Sequence, residues 1–388
     1  MSSSTESKEA ESVVFGNQTR FVVLILVTIC LTVQMSNSLA FSFTVICMDD
    51  VAGNNTDHWL YSPAYRNALF SVVAIGSICG TLPLMNLLLA FGMRKTLFMY
   101  GLFSGVSTVL FPLAVDIGFY AVVVARIFQG LSLGMLFSAT GSIATSWAPL
   151  NEMGTYIAML SSHVQLASII TMPLGGFMCE THNWRLLYYG QGTFTVLLFM
   201  FFFWFYENSP QKHRNVSTKE LSRISENRLQ IKGKQAVPYL AVISHRSIIG
   251  CLLSSTGNCF GFVMLMYYGP TYINKALGFD LRSTGFATAV PYILAAGVKF
   301  IAGPLYDKAT FLSEKCRFLL FASLSQGCMV ICFFVISFTE NALVAQIAYT
   351  WAIVFAGLNI VGGIKCAQLV GQKNIRQNSF VDQHLYKL

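Results

Sequence analysis

The sequence predicts an all-α polytopic membrane protein of about ten transmembrane helices, six in a first half and four in a second. Three observations predict it. Hydrophobic residues make up 54% of the 388 positions and charged residues 11%, against roughly 25% charged in an ordinary soluble domain. The apolar residues fall in runs of about 20, the length an α-helix needs to cross a hydrocarbon core of ~30 Å. These runs lack a polar face: Leu197 to Phe205 has no polar stripe at a spacing of 3.6, which a soluble helical bundle would need.

Taken in order, residues 1–20 are polar, mix both charges and lack a cleavage site after a short apolar core. They read as a cytosolic segment before an uncleaved signal-anchor. Six spans follow at 21–46, 68–90, 97–115, 119–142, 156–179 and 188–206, making a first half of 21–206. Residues 207–245 form a basic linker with seven Lys or Arg between Lys212 and Lys234 and a helical patch around Lys219 to Leu229. The second half, 246–364, carries spans at 246–268, 284–305, 317–338 and 343–364. Residues 365–388 are too polar to cross, so this reading expects a cytosolic tail and a second half two spans short of the first.

Orientation follows from the positive-inside rule. With the first span leaving the cytosol, nineteen Lys and Arg fall on the cytosolic side and four, Arg66, Arg185, Lys275 and Arg282, on the other. Both ends are therefore expected in the cytosol. The net charge of +8 is concentrated in those connectors, so it reflects membrane topology and not a nucleic-acid surface. Asn54-Asn55-Thr56 is a glycosylation sequon in the first outward loop, so Asn54 is the one sequon offered. Most of the ten cysteines lie inside spans and act as small hydrophobes. Cys47 and Cys179 sit near the outer side and could pair. No Cys/His spacing suggests a metal, and no cofactor motif is present.

All seventeen acidic residues lie in loops or at span ends. Proton-coupled carriers often use buried Asp or Glu as relays, so their absence here makes Na⁺ the preferred coupling cation over H⁺. Leaving aside tyrosine and cysteine, the ionisable residues well inside spans are Arg126, Lys299 and His163. A helix-centre Arg or Lys costs about 2.5–3.5 kcal/mol on insertion scales, which calls for a partner, water or an anionic ligand. Arg126 fits an anion clamp, because its planar fork matches carboxylate or phosphate; it also fits a brace bonded to carbonyls of a neighbouring helix. The clamp is the reading taken. Lys299 fits contact with the solute and snorkelling to the cytosolic edge equally. His163 fits a packing histidine better than a proton carrier. Polar uncharged groups cluster in the first span, with Gln34 and Asn37, and in the seventh, with Asn258. They could meet a solute or cation, or bond between helices.

Six spans, a basic linker and a second set of spans is the arrangement of the major facilitator transporters, whose halves repeat. Five sequence blocks, in order, resemble one family within it. Arg126-Ile127-Phe128-Gln129-Gly130 resembles its fourth-span motif, and Trp147-Ala148-Pro149 with Glu152 the turn that follows. Met172-Pro173-Leu174-Gly175-Gly176 resembles its fifth span. Pro270-Thr271-Tyr272 with Leu277-Gly278-Phe279-Asp280 resembles its loop after the seventh, and Gly303 to Lys308 its loop signature in the second half. The family is that of the anion–cation symporters: sodium-phosphate cotransporters, sialic-acid carriers and vesicular glutamate transporters. The chain resembles its divergent nematode-like members.

That resemblance implies the major facilitator fold and a carrier for organic anions or inorganic phosphate. It also implies a small anionic solute, Na⁺ or H⁺ and membrane lipid as partners. Departures from the family pattern narrow it. The family's fourth-span glutamate falls on Leu133, a second-span histidine on Phe70, a seventh-span arginine on Asn258, and the acidic position of the first-half signature on Leu89. Only Arg126 carries over among the charged site residues. The expected site residues are thus Arg126, Lys299, Asn37 and Asn258 for solute, with His163 and Gln34 for ion coupling. Plasma membrane and vesicle membrane both fit. The rival reading is a transport-incompetent or regulatory membrane protein. An enzyme is not expected, since the chain has no P-loop, HExxH, nucleophile elbow or dinucleotide fingerprint.

Overall fold

The computed structural model describes residues 16–48, 59–149, 152–225, 246–308 and 314–357. Among these every long element is helical, and there is no strand. The chain divides into two compact units: Met1–Gln230 with Phe279–Ala289, and Ile231–Gly278 with Val290–Leu388.

In the first unit, α1 (Thr19–Thr44) is a single unbroken helix. The next two spans are α2 (Pro63–Thr81) and α3 (Leu84–Val109). Pro83 separates them, yet the chain reverses later, at Gly92 inside α3 (φ 74°, ψ 172°). A left-handed φ at that turn favours glycine. Beyond it the helix runs back beside its own start, so Tyr100 donates to the Gly80 carbonyl at 2.5 Å and Thr96 to Leu87 at 3.3 Å. The second span is therefore a bent helix reaching Phe91, and the third begins at Met93. The turn is fastened to the far end of the unit: Arg94 donates to Asn208, to the Phe203 carbonyl and to Glu207 at 2.6–2.7 Å.

The short α4 (Phe111–Ile117) precedes α5 (Phe119–Leu133) and α6 (Leu136–Trp147), which make the fourth span. The fifth is α7 (Met153–Ser161) followed by α8 (His163–Glu180), and the sixth is α9 (Trp184–Phe205). By length and composition α1, α5 with α6, α7 with α8, and α9 each suffice to cross a membrane. α2 and α5 pack backbone to backbone, because a Cβ on Gly130 would strike the Val73 carbonyl. Small residues at such crossings let helices approach where no hydrophobic effect drives them together.

The face of α9 shows what surrounds the protein. Phe199, Phe202 and Phe205 point inward and are buried, while Leu197, Met200, Phe201 and Trp204 are half exposed or more. A large apolar side chain left in water costs about 1.5–3 kcal/mol relative to burial. A helix apolar on both faces is stable only against hydrocarbon. Disulfide Cys47–Cys179 ties the end of α1 to the end of α8, with Cα atoms 5.6 Å apart. It makes the pairing that the sequence left open.

At the opposite end, α10 (Thr218–Ser225) docks on the start of α1. Ser217-Thr218-Lys219-Glu220 has the spacing of a capping box, and Ser217 Oγ does accept from the Glu220 N–H at 3.1 Å. The Glu220 carboxylate, however, turns to α1 and accepts from the N–H groups of Arg20 (2.8 Å) and Thr19 (3.3 Å). A carboxylate from a distant segment thus caps the first span, where orphan amides and the helix dipole favour negative charge. Glu152 joins the same cluster, receiving Arg20 at 3.2 Å and Arg223 at 3.5 Å.

In the second unit, α11 (Arg246–Thr271) ends in a π turn at Tyr272–Ala276. Pro270 lacks an N–H and disturbs the ladder there. α12 (Leu281–Lys308), which belongs to this unit from Val290 on, α13 (Glu314–Phe338) and α14 (Ala342–Gly357) follow. Asp280 caps α12 by accepting from the Ser283 N–H at 3.0 Å, and the Ser283 side chain together with that N–H holds its carboxyl below the usual range. Polar side chains tie the unit together: Gln326 donates to Ser254, Ser325 to the Phe355 carbonyl and Tyr349 to the Leu265 carbonyl. Among the described residues helices fall within each of the ten expected spans, and residues 358–364 of the tenth lie outside the described residues.

Candidate functional site

Arg126 sits two turns into α5 and is fully buried. Neither α5 nor α1, α2 or α3 contains an acidic residue, so the charge is met by neutral groups. Arg126 Nη1 donates to the Ser38 carbonyl at 3.0 Å and to Gln129 Oε1 at 2.8 Å, and Nε reaches the Leu69 carbonyl at 3.4 Å. The Phe41 ring lies 4.9 Å from the guanidinium carbon. Hydrogen bonds involving a charged group contribute about 1.5–3 kcal/mol each, and a desolvated cation–π contact about 2. Together these offset an insertion cost of about 2.5–3.5 kcal/mol while leaving the positive charge in place.

The network continues beyond the arginine. Gln129 Nε2 donates to Thr108 Oγ1 at 3.0 Å, and Thr108 in turn donates to the Ser104 carbonyl at 2.7 Å. Asn37 donates to Ser104 Oγ and to Thr195 Oγ1, both at 3.0 Å. Ser104 therefore links Asn37 to the Arg126 chain, so two of the expected residues share one buried network across α1, α3, α5 and α9. Toward the disulfide end, Phe41 meets Phe111, which stacks on Tyr188 at 4.4 Å, and Tyr188 bonds Thr44 at 2.7 Å.

The other expected residues lie elsewhere. Gln34 is fully buried on α1, and neither of its amide atoms finds a hydrogen-bond partner among the described residues. His163 opens α8, its Nδ1 2.8 Å from the Leu160 carbonyl and its ring near Phe137. In the second unit, Asn258 donates to the Ala356 carbonyl at 3.5 Å, a long bond, and Lys299 is buried on α12. Asn54 lies outside the described residues. Sequence reasoning missed Gln129, Thr108, Ser104 and Phe41. Gln129 was within reach of it, since residues three apart on a helix share a face; the others are set by packing between helices.

Residues 21–378 match the family model described as Major Facilitator Superfamily. Human sialin (Homo sapiens) is 26% identical over 239 residues, 61% of this chain and 46% of sialin. Sodium-dependent phosphate transport protein 1 of Mus musculus is 25% identical over 334 residues, 80% of this chain and 71% of that protein. The chain thus spans about half the length of sialin and more of the phosphate transport protein. In fold it is similar to the xylose transporter XylE from E. coli in a partially occluded inward-open conformation. The TM-score is 0.67 at 17% identity, over 90% of this chain and 84% of XylE. It is also similar to a bacterial homologue of the human lysosomal transporter Spinster, with a TM-score of 0.62 at 12% identity, covering 90% and 77%.

Proposed function

The chain belongs to the major facilitator superfamily, and from that premise we propose that it is a secondary transporter of organic anions or inorganic phosphate. It works by alternating access and is driven by a coupled cation, Na⁺ in preference to H⁺. The observation that carries this reading is Arg126: a fully buried, mid-span cation that meets carbonyls, an amide and a ring. A site with positive charge and no acid in α1, α2, α3 or α5 favours anions over sugars. The names of the related proteins, sialin and sodium-dependent phosphate transport protein, support the same solute class. The lack of a mid-span acid supports Na⁺.

Both ends are cytosolic in this reading. The basic connectors support it, as does the Cys47–Cys179 disulfide, since disulfides persist on the oxidising side of a membrane. Solute affinity must differ between the two states of the carrier, because equal affinity shifts no population. The alternative role for Arg126 is a brace for the first unit, favoured by its carbonyl partners.

Reconstituted uptake of phosphate and sialate under imposed Na⁺, H⁺ or voltage gradients tests the proposal. Saturable uptake is expected, with the Na⁺ gradient most effective. Arg126→Ala should reduce it to background at normal membrane insertion. Full uptake by that variant would make Arg126 a brace and remove the proposed site.

A further inference from the structure

We propose that Gln129 is the positioning residue for anion capture, holding the Arg126 guanidinium through a one-way hydrogen-bond relay that ends in the backbone of α3. The inference rests on the reading that Arg126 receives the anionic solute.

The relay has a direction because each group in it has a fixed donor count. The single proton of the Thr108 hydroxyl goes to the Ser104 carbonyl at 2.7 Å. Toward Gln129, Thr108 Oγ1 can therefore only accept. That turns the Gln129 NH₂ to Thr108 at 3.0 Å and leaves Oε1 facing Arg126 Nη1 at 2.8 Å. The reverse orientation would set an NH₂ against a guanidinium, two donors facing each other. Arg126, Gln129, Thr108 and Ser104 are all fully buried, so water cannot substitute for a missing member without opening the packing.

The second acceptor on Nη1, the Ser38 carbonyl at 3.0 Å, belongs to α1. Two acceptors on two different helices fix the plane of the guanidinium, and the Phe41 ring supports it. A planar fork recognises carboxylate or phosphate only in the right orientation. Gln129 thus acts on affinity through Arg126 without touching the solute.

The test measures equilibrium binding of inorganic phosphate and of sialate to the purified full chain, together with KM and maximal rate in proteoliposomes. Gln129→Leu should weaken binding about tenfold, equivalent to about 1.4 kcal/mol, and raise KM more than it lowers the maximal rate. Thr108→Val, nearly the same shape, frees the carboxamide to turn and should weaken binding about threefold. Thr108→Ser restores the hydroxyl and should return affinity to normal. That rescue, at unchanged melting temperature across the Thr108 pair, separates positioning from folding.

If Arg126→Ala abolishes binding while Gln129→Leu and Thr108→Val keep wild-type affinity, the positioning role is overturned and the anion site stands. If Arg126→Ala binds both probes normally, or the wild type binds neither, the underlying reading falls and this inference with it.

Discussion

Arg20 and Arg126 are both almost fully buried in the first unit, at 4% and 0% exposure, yet their surroundings differ in kind. Arg20, at the start of α1, faces the Glu152 carboxylate, which is 24% exposed and shared with Arg223. Its neighbour Glu220 caps the same helix end. Arg126, mid-span, has neutral oxygens and an aromatic ring. Near the membrane edge a carboxylate keeps part of its hydration, so pairing carries a small desolvation cost. In the hydrocarbon centre a second ion would add several kcal/mol of its own. Neutral partners also leave the arginine with its charge, which an anion carrier needs and a purely structural contact does not.

The sharpest way to break this comparison is to remove each charge while keeping bulk. Arg126→Met should lower uptake by two orders of magnitude or more at normal surface level. Arg20→Met should leave uptake per inserted molecule within about twofold. Equal losses in flux assays normalised to inserted protein would mean that both arginines do the same work.

Effects on stability should be largest at the covalent tie. Cys47→Ser removes the link between α1 and α8, and disulfides contribute about 2–4 kcal/mol where the loop they close is long. Its melting temperature should fall by several degrees, and reductant should then have no further effect. A wild-type protein indifferent to reductant would argue against the bridge.

Glu220→Ala should come next, at about 2 kcal/mol, since it strips a carboxylate from two amides at a buried helix start. Uptake per inserted molecule should persist. A variant as stable as wild type would show that α10 does not hold the first span.

The smallest expected effect concerns His213. Its ring packs against Trp147 and Phe205, donates from Nε2 to the Phe205 carbonyl and accepts the Asn215 N–H at Nδ1. Burial pushes its pKa below the ordinary 6.5. Because the folded pKa is depressed, the neutral form is the stable one. Stability is then intact above 6.5 and falls as pH drops through that value toward the lower folded one. Melting curves between pH 7.5 and 5 should show that slope in the wild type, and His213→Gln should flatten it.

Much of the fold was legible in the sequence because its cause is local. Hydrocarbon requires about 20 apolar residues per helix and tolerates no polar stripe on the lipid face, and the expected spans hold helices among the described residues. Arg126 stood out for the same reason, as a costly residue in an apolar run. The helix interruptions were harder to read. Pro83 and Gly92 are visible as residues, but which of them turns the chain depends on what packs behind, and only Gly92 has the left-handed φ. Glu220 is a case where the local reading holds only by half: Ser217 accepts its N–H, but its carboxylate leaves the box. Its spacing from Ser217 fits a self-contained cap, but the start of α1 offers two unpaired amides and takes the carboxylate.

By itself, then, the sequence located the apolar stretches that become helices, the basic connectors between them and a cation that an apolar span does not readily hold. The tertiary structure decided what that cation touches. Arg126 meets Ser38 from 88 positions earlier, and Glu220 meets Thr19 across 201. Periodicity records only which face of a helix is buried. The identity of a buried polar partner is set where two faces meet, and that depends on the whole packing at once.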